Sequence, residues 1–265
     1  MTNTYNTIAF EIDAGLAVLT LNRPEKLNSF NTQMFADIRN AFKQIKSDKS
    51  VRCLLITGAG RAFCAGQDLG DRAVLSDEER PDLGQSVENN YNPLVRSIAN
   101  LEMPVICAVN GVAAGAGSSI ALGCDMVFAA RSAKFIQSFS RIGVIPDSGA
   151  TWLLPRLVGR ARALGLALLG ESISAEQAEQ WGMIWKCIDD ESLMDEAMKT
   201  AKHLATQPTK GLSLIKRAMA ASAANTFDEQ LNLERDYMAI AGKTDDYQEG
   251  VAAFMQKRAP AFTGK

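Results

Sequence analysis

Residues 108–125 read Ala-Val-Asn-Gly-Val-Ala-Ala-Gly-Ala-Gly-Ser-Ser-Ile-Ala-Leu-Gly-Cys-Asp. The apolar run at 104–109 that leads into this stretch is typical of a buried strand, and 118–122 favours the start of a short helix. Glycine has no side chain and alanine has only a methyl group, so the backbone at these residues can come very close to another group. The first N–H groups of a helix lack intrahelical partners and suit a negatively charged oxygen. The stretch therefore indicates either a loop that holds an oxyanion or a tightly packed crossing of a strand and a helix.

A second loop of small residues has the same setting. The run Val-Arg-Cys-Leu-Leu-Ile-Thr at 51–57 predicts a strand, and the loop at 64–69 follows it. If the strands at 51–57 and 104–109 are parallel neighbours, both loops lie at the sheet edge where α/β proteins bind ligands. Two backbone N–H groups, one from each loop, could then meet at a single oxygen atom.

The rest of the chain predicts strands alternating with helices, followed by a helical extension of the same domain. Expected strands lie at 8–12 and 16–21 (a hairpin), 126–130, 133–136 and 184–188. Expected helices lie at 32–45, 87–101, 174–181, 191–206, 209–222, 227–241 and 245–255. The polar segment 71–86 is expected to be exposed and is a candidate lid. The apolar surface of the helical extension favours an oligomer.

The composition is that of an ordinary globular protein. The chain of 265 residues is 47% hydrophobic and 22% charged with a formal net charge of −2, which gives no support to a nucleic-acid partner. Residues 103–124 carry no charge, but a leading proline, an asparagine and four glycines favour a buried core segment over a membrane span. The N-terminus lacks the pattern of a secretion signal, and five scattered cysteines indicate free thiols in a reducing compartment. A cytoplasmic protein is expected.

Few residues are available for metal or nucleophile chemistry. The one histidine, His203, lies in a helical pattern, and no Cys-x-x-Cys pair is present, so we expect no metal site. Ser118 and Ser119 lack the Gly-x-Ser-x-Gly elbow of a hydrolase nucleophile, and packing is the favoured interpretation.

Four ordered motifs resemble the crotonase superfamily, the enoyl-CoA hydratase/isomerase group, and the likeness covers about residues 8–258. They are Phe63-Cys64-Ala65-Gly66-Gln67-Asp68-Leu69, the run 108–117, Gly123-Cys124-Asp125, and Gly143-Val144-Ile145-Pro146-Asp147 with Gly149. The resemblance implies an α/β fold, a crotonase-like spiral of ββα units with a C-terminal helical trimerisation region. Residues 1–200 would form the spiral core with an acyl-CoA site, and 201–265 the helical region of the same single domain. The resemblance also implies assembly as a homotrimer or homohexamer.

The resemblance also implies a site for an acyl-CoA thioester, in which CoA is part of the substrate and no cofactor is needed. The thioester carbonyl oxygen would lie between the backbone N–H groups of Gln67 and Ala116. The residues that would hold CoA or the substrate are Ala65, Gly66, Asp68, Leu69 and Gly115. The candidates for CoA phosphates are Arg23 and Lys26, and those for reaching the CoA of a neighbouring subunit are Phe254 and Lys257. For these last four, solvated side chains or core packing are equally open.

Two positions depart from the hydratases of this family. Aligned without gaps, the two glutamates that position and activate water fall on Ser119 and Phe139. Neither side chain can act as a carboxylate base, so simple water addition is not expected. Asp147 stands where several isomerases of the superfamily carry the acid, and a single base can remove a proton at C2 and return it at C4. The alternative for Asp147 is a helix N-cap, because Asp-Ser-Gly-Ala precedes a helical run.

Residues 136–156 resemble the subgroup of bacterial isomerases that act on ring-epoxidised phenylacetyl-CoA. This resemblance implies conversion of ring-1,2-epoxyphenylacetyl-CoA to oxepin-CoA, with movement of a Δ3 double bond to Δ2 as a related activity. A hydratase of phenylacetate catabolism would be a possible partner. Three alternatives stay open: a generic enoyl-CoA isomerase, a dehalogenase or thioester hydrolase of the same superfamily, and a non-catalytic CoA-binding scaffold protein.

Overall fold

The computed structural model describes residues 5–72 and 82–265, which form two sheets covered by helices. The strands are β1 Ile8–Asp13, β2 Leu16–Leu21, β3 Cys53–Gly58, β4 Ala62–Cys64, β5 Val105–Val109, β6 Val112–Ala114, β7 Met126–Ala130, β8 Lys134–Ile136, β9 Ser172–Ser174 and β10 Lys186–Ile188. The helices are α1 Thr32–Ser47, α2 Leu83–Ser86, α3 Asn92–Ala99, α4 Ala116–Leu122, α5 Ala150–Leu169, α6 Ala175–Gln180, α7 Leu193–Ala205, α8 Thr209–Ala221, α9 Phe227–Ala241 and α10 Asp245–Met255. A π-helical turn, Val87–Tyr91, joins α2 to α3.

Consecutive strands in the middle of the chain enter different sheets. The larger sheet has the order β1-β2-β3-β5-β7-β10, and the smaller has the order β4-β6-β8-β9. From β2 to β10 the larger sheet is parallel, and β4, β6 and β8 are parallel in the smaller one. The pairs β3–β4, β5–β6 and β7–β8 each lead into a helical segment, so three ββα units follow one another. The segments after β4 and β6 therefore leave the smaller sheet side by side.

The strands β3 and β5 lie at the centre of the core. Every residue of both strands is buried, which is typical of parallel strands covered on both faces. Helix α1 contributes Met34, Ile38 and Phe42 to this core at helical spacing, and its N-cap Asn31 accepts a hydrogen bond from the Met34 N–H.

Helix α7 packs against β3, β5 and β7 through buried alanines at 197, 201 and 205. A stripe of alanines every four residues lets a helix lie close to a sheet. The expected boundary at residue 200 falls inside this helix. Division of the chain at that position stays a prediction.

An ion pair and hydrogen bonds attach the C-terminal helices to the core, but these helices keep many apolar side chains exposed to solvent. Lys216 Nζ on α8 lies 2.9 Å from Asp125 Oδ2. Arg52 Nε donates to Thr209 Oγ1 at 3.0 Å, and its Nη1 donates to the Phe262 carbonyl at 3.0 Å. Exposed apolar side chains on α8, α9 and α10 are Ile215, Met219, Phe227, Leu231, Met238, Ile240, Tyr247, Val251, Phe254 and Met255.

The expected hairpin, the expected helix at 32–45 and the helices after residue 190 are confirmed within a few residues. The short strands β4, β6 and β9 were not expected, since three residues are too few to show an alternating pattern. The helix expected at 118–122 begins earlier, at Ala116. Most of the candidate lid, 73–81, lies outside the described residues. Within 5–72 and 82–265, no helix is both long and apolar enough to cross a membrane.

Candidate active site

The loops after β4 and β6 touch each other through backbone. β4 pairs with β6 in parallel, with Ala62 opposite Val112 and Cys64 opposite Ala113. A Cβ on Gly66, whose φ is +93°, would lie 2.9 Å from the Ala114 carbonyl oxygen and 3.6 Å from the Ala116 nitrogen. The structure thus places the two small-residue loops together, as the sequence predicted.

Two backbone N–H groups on these loops have no acceptor among the described residues of the chain. The Phe30 N–H donates to the Gly66 carbonyl at 2.7 Å, and the Asp68 N–H donates to the Phe30 carbonyl at 2.9 Å. Phe30 and Gln67 form a parallel bridge, and in this pattern the N–H of Gln67 points away from Phe30. Ala116 is the first residue of α4, after Gly115 with φ +51°. Across the described chain, no hydrogen bond is donated by the backbone N–H of Gln67 or of Ala116.

Unpaired N–H groups on two touching loops can donate hydrogen bonds to an oxyanion. The Ala116 N–H is one of the first-turn donors of α4 that have no partner within the helix, and the Gln67 N–H has none among the described residues, so both can donate to a bound group. A carbonyl oxygen that gains negative charge during a reaction is such a partner.

The loop around Gln67 is held by an ion pair. Arg23 Nη2 lies 2.9 Å from Asp68 Oδ2, and Arg23 Nη1 donates to the Ser29 carbonyl at 2.7 Å. The hydrogen bond from Arg23 lowers the pKa of Asp68 despite the opposing effect of burial. Arg23 therefore holds the 65–69 loop through Asp68. Its contact with a CoA phosphate stays a prediction. Lys26 is exposed at the end of the turn Pro24–Lys26.

Asn28 was missed by the sequence interpretation. Its side chain is fully buried and donates to the carbonyls of Ala59 at 2.9 Å and Ala62 at 2.8 Å, while its Oδ1 accepts from the Arg23 N–H at 2.8 Å. Its φ of +57° follows Leu27 at +50°, so the chain turns sharply here. An asparagine after Arg-Pro in a polar loop is the only signal that could have marked it.

Asp147 lies half-buried in the loop before α5. The Ser148 hydroxyl donates to Asp147 Oδ1 at 2.9 Å, and the Ala150 N–H donates to the Asp147 carbonyl at 3.0 Å. The N-cap of α5 is Gly149, and no side chain caps this helix. The N-cap interpretation of Asp147 is therefore wrong, because the helix begins later and uses a glycine in the left-handed region. A Cβ on Gly149 would lie 3.7 Å from Val95 Cγ1, which brings α3 against this loop.

The positions aligned with hydratase glutamates carry no carboxylate. The Ser119 hydroxyl is fully buried and donates to the Gly115 carbonyl at 3.1 Å. The Phe139 ring lies beside Gly115, 3.9 Å from where a Cβ there would stand. Ser118 accepts a hydrogen bond from Gln137 Nε2 at 3.1 Å, so neither serine is paired with a histidine base.

Three of the remaining predicted contacts, Leu69, Phe254 and Lys257, are exposed. Leu69 is 56% exposed beside the Gln67 loop, and Ala65 is half-buried there. Phe254, on α10, is 82% exposed, and Lys257 lies just beyond that helix with φ +53°. Among the described residues, neither Phe254 nor Lys257 forms a hydrogen bond with the two loops. Among the residues that the structure describes, no cluster of three or more histidine, cysteine or acidic side chains could hold a metal ion.

Comparison with known proteins identifies relatives along the whole chain. Residues 11–265 match the family described as enoyl-CoA hydratase/isomerase. The 1,2-epoxyphenylacetyl-CoA isomerase of Escherichia coli (strain K12) is 62% identical over 258 residues, covering 97% of this chain and 98% of that one. The trans-2-decenoyl-[acyl-carrier-protein] isomerase of Streptococcus mutans is 34% identical over 263 residues, covering 98% of this chain and 99% of that one.

A solved structure shows the same fold. The enoyl-CoA hydratase of Bacillus anthracis superposes with a TM-score of 0.92 at 30% sequence identity, covering 98% of this chain and 100% of that chain. The predicted α/β fold with C-terminal helices is thereby confirmed.

Proposed function

Since the chain belongs to the enoyl-CoA hydratase/isomerase family, we propose that it is an acyl-CoA isomerase acting on ring-1,2-epoxyphenylacetyl-CoA. The observation that carries the proposal is the pair of unpaired N–H groups, from Gln67 and Ala116, on two touching loops. The choice of substrate rests on the 62% identity with the isomerase of that name.

The two N–H groups bind the thioester carbonyl oxygen. Removal of a proton from the α-carbon converts the thioester into an enolate whose negative charge lies largely on this oxygen. Donors that are already fixed in place stabilise that charge without reorganising, and each is worth about 3–4 kcal/mol of barrier in comparable enzymes. Because both donors belong to the backbone, they carry no proton that the reaction could take.

Asp147 moves the proton. Its carboxylate accepts the proton from the α-carbon and returns it to another carbon of the conjugated system, so the double bond shifts with no net loss or gain of atoms. For the ring epoxide, the bond shared by the epoxide and the ring opens to the seven-membered oxepin. The Ser148 hydroxyl, 2.9 Å from Asp147 Oδ1, holds the carboxylate in position.

The absence of a second carboxylate favours isomerisation over hydration. A hydratase must activate water, and here the aligned positions carry Ser119, whose hydroxyl is engaged with Gly115, and the buried Phe139. A dry site preserves the enolate for return of the proton. The alternatives of a dehalogenase or thioester hydrolase need activated water or a nucleophile, and this arrangement of side chains gives them less support.

CoA binding involves the loop 65–69 and the C-terminal helices. The backbone of Ala65, Gly66, Asp68 and Leu69 lies along the adenine and pantetheine, and CoA enters as part of the substrate. Contacts of Arg23 and Lys26 with the CoA phosphates belong to the same proposal.

The chain assembles as a homotrimer or homohexamer in this proposal. The exposed apolar side chains of α9 and α10, such as Phe227, Met238 and Phe254, support burial against other copies. A neighbouring subunit then contributes Phe254 and Lys257 to the CoA. Sedimentation at several concentrations tests the assembly, and a monomer at micromolar concentration would contradict it.

Incubation with enzymatically prepared 1,2-epoxyphenylacetyl-CoA tests the activity. We expect a product of unchanged mass with the absorbance of an oxepin. A panel of 3-enoyl-CoA thioesters run in parallel separates the alternatives. Turnover of 3-enoyl-CoAs alone indicates a generic isomerase, a mass gain of one water indicates a hydratase, and binding of CoA without any turnover indicates a scaffold protein.

A further inference from the structure

The Gln67 side chain is fixed by three hydrogen bonds. The Tyr91 hydroxyl donates to Gln67 Oε1 at 2.5 Å. Gln67 Nε2 donates to the Phe30 carbonyl at 3.1 Å and to the Asp68 carbonyl at 3.2 Å. The carboxamide therefore links the Tyr91 hydroxyl to the backbone carbonyls of Phe30 and Asp68.

These bonds bear directly on the backbone of Gln67. The Phe30 carbonyl accepts from both the Asp68 N–H and the Gln67 carboxamide, and the Phe30 N–H donates to Gly66. The peptide units before and after Gln67 are thus held from one side. The Gln67 N–H is left pointing away from Phe30.

The Tyr91 ring is buried and packed against two other aromatic rings, which places its hydroxyl at the carboxamide. The side chain is 2% exposed. It packs edge-on against Phe35 with ring centroids 4.8 Å apart and against Phe30 at 5.9 Å. The hydroxyl is consequently the one part of Tyr91 that can be removed with little change in packing.

Tyr91 is the last residue of an irregular helical turn. Val87–Tyr91 forms a π-helical turn, in which the Asn92 N–H donates to the Val87 carbonyl, and Pro93 follows. Such turns shift the side chains that follow them and are common at functional sites. The helix that continues from this turn, α3, also carries Val95 to Gly149, two residues after Asp147. One helical segment therefore contacts both the Gln67 loop and the loop of the acid.

We propose that Tyr91 is a positioning residue for the reaction, which fixes the direction of the Gln67 N–H through the Gln67 carboxamide. This inference rests on the proposed function, in which that N–H binds the thioester carbonyl. Tyr91 itself touches neither the substrate nor the reacting atoms in this proposal.

Kinetics of Tyr91→Phe test the proposal, with Tyr5→Phe as the matched control. The Tyr5 hydroxyl is buried without a hydrogen-bond partner among the described residues, so its loss removes no interaction of this kind. Loss of a complete oxyanion donor costs about 10²–10³-fold in kcat, and a misdirected donor is expected to cost about 10–100-fold. We expect this fall in kcat for Tyr91→Phe with KM changed less than about twofold. Equal kcat in both variants would overturn the proposal.

A double-mutant cycle shows whether Tyr91 acts through Gln67. Gln67→Met keeps the length of the side chain and removes its hydrogen bonds. If the carboxamide transmits the effect, Tyr91→Phe/Gln67→Met loses no more activity than Gln67→Met alone. Independent, multiplying losses would contradict the proposed route.

An infrared measurement separates this inference from the reaction itself. Phenylacetyl-CoA labelled with ¹³C at the thioester carbonyl is the probe, and it needs no turnover. In the unaltered protein and in Tyr5→Phe, hydrogen bonding lowers the carbonyl stretching frequency, and Tyr91→Phe returns it toward the value in water. An equal frequency in the unaltered protein and in Tyr91→Phe overturns the role of Tyr91 alone. No lowering in the unaltered protein overturns the proposed carbonyl site and this inference together.

Discussion

Lys216 on helix α8 lies 2.9 Å from the carboxylate of Asp125, the last residue of the small-residue stretch that enters the candidate site. The same carboxylate accepts a hydrogen bond from the Val105 N–H at 2.8 Å, and Lys216 also donates to the Ile98 carbonyl at 3.0 Å. Burial raises the pKa of Asp125, while the charge of Lys216 opposes that shift. The C-terminal helices are thus attached to the first residue of β5 and to the end of α3.

Replacement of Lys216 by methionine is expected to lower the free energy of unfolding by about 1 kcal/mol at pH 7, because it removes the partner of a carboxylate whose side chain is 26% exposed. The pKa of Asp125 is then raised further, so the folded state binds this proton more tightly than the unfolded chain does. A carboxyl shifted in this direction loses stability as pH rises through its folded pKa, and regains it as pH falls. Urea unfolding between about pH 4, the usual pKa of an aspartate, and pH 8 checks this, with the exposed Lys199→Met as control. A loss that does not shrink toward pH 4 would contradict the ionic explanation.

Asp147→Asn is expected to lower isomerisation by about 10²–10⁴-fold while leaving thioester binding and folding nearly unchanged. The amide keeps the shape of the carboxylate and can still accept from the Ser148 hydroxyl, but it cannot take up a proton at neutral pH. Initial rates and calorimetric binding of the product separate the two effects. Asp195→Asn, on the exposed side of α7, is the control. Full activity of Asp147→Asn would place the base elsewhere.

Gly66→Ala is expected to reduce kcat by at least about 10²-fold, since the added Cβ would stand 2.9 Å from the Ala114 carbonyl and force the two loops apart. Gly182→Ala is a matched control for backbone strain, because Gly182 also has positive φ, +72°, and its nearest recorded neighbour is 3.9 Å away. Both variants should lose stability of about 1 kcal/mol from the left-handed backbone. Kinetics and thermal unfolding of the two proteins distinguish strain from disruption of the site. Equal kcat values in both would remove the loop contact from the reaction.

Lys26→Ala and Lys257→Ala are each expected to raise KM for an acyl-CoA by about three- to tenfold, by removing an exposed cation from a CoA phosphate. The acyl-pantetheine thioester, which lacks the nucleotide and its phosphates, should show no such change. Lys243→Ala, exposed after α9, serves as control. A rise in KM for both thioesters would assign these lysines to folding or assembly and not to phosphate binding.

Residues near one another in the chain were predictable, and contacts across the fold were not. The meeting of the two small-residue loops follows from glycines placed directly after apolar strands. The Thr-x-x-Glu spacing of Thr226 and Glu229 is likewise a local signal, and the two residues form a capping box at α9. Tyr91 lies on a π-helical turn, for which helical periodicity gives no signal, and its bond to Gln67 joins two separate elements. In the sequence, Asn28 is only an asparagine in a polar loop. Its hydrogen-bond partners, the carbonyls of Ala59 and Ala62, are more than thirty residues away and meet it only in the folded chain.

The interpretation of Asp147 depended on where α5 begins, because the two possible N-caps, Asp147 and Gly149, lie two residues apart. Asp-Ser-Gly-Ala is compatible with a cap at Asp147 and with a cap at Gly149, and the two differ in which backbone conformation each residue adopts. Ser148 and Gly149 both have positive φ, +55° and +84°. A serine in that region is rare enough that sequence alone favours the ordinary cap.

The donors of the candidate site are main-chain N–H groups, which has a consequence for mutational surveys of this protein. Truncating the side chains of Gln67 or Ala116 leaves the amide hydrogens themselves in the molecule. A scan that replaces residues by alanine would therefore never remove a donor and would detect it only through the groups that hold it in place. The sensitive positions would be Gly66 and Gly117, where an added Cβ would stand 2.9 Å and 2.4 Å from a backbone oxygen of the opposite loop. A position in this chain that tolerates substitution is thus one where the side chain is not needed, and it can still lie next to the reacting atoms.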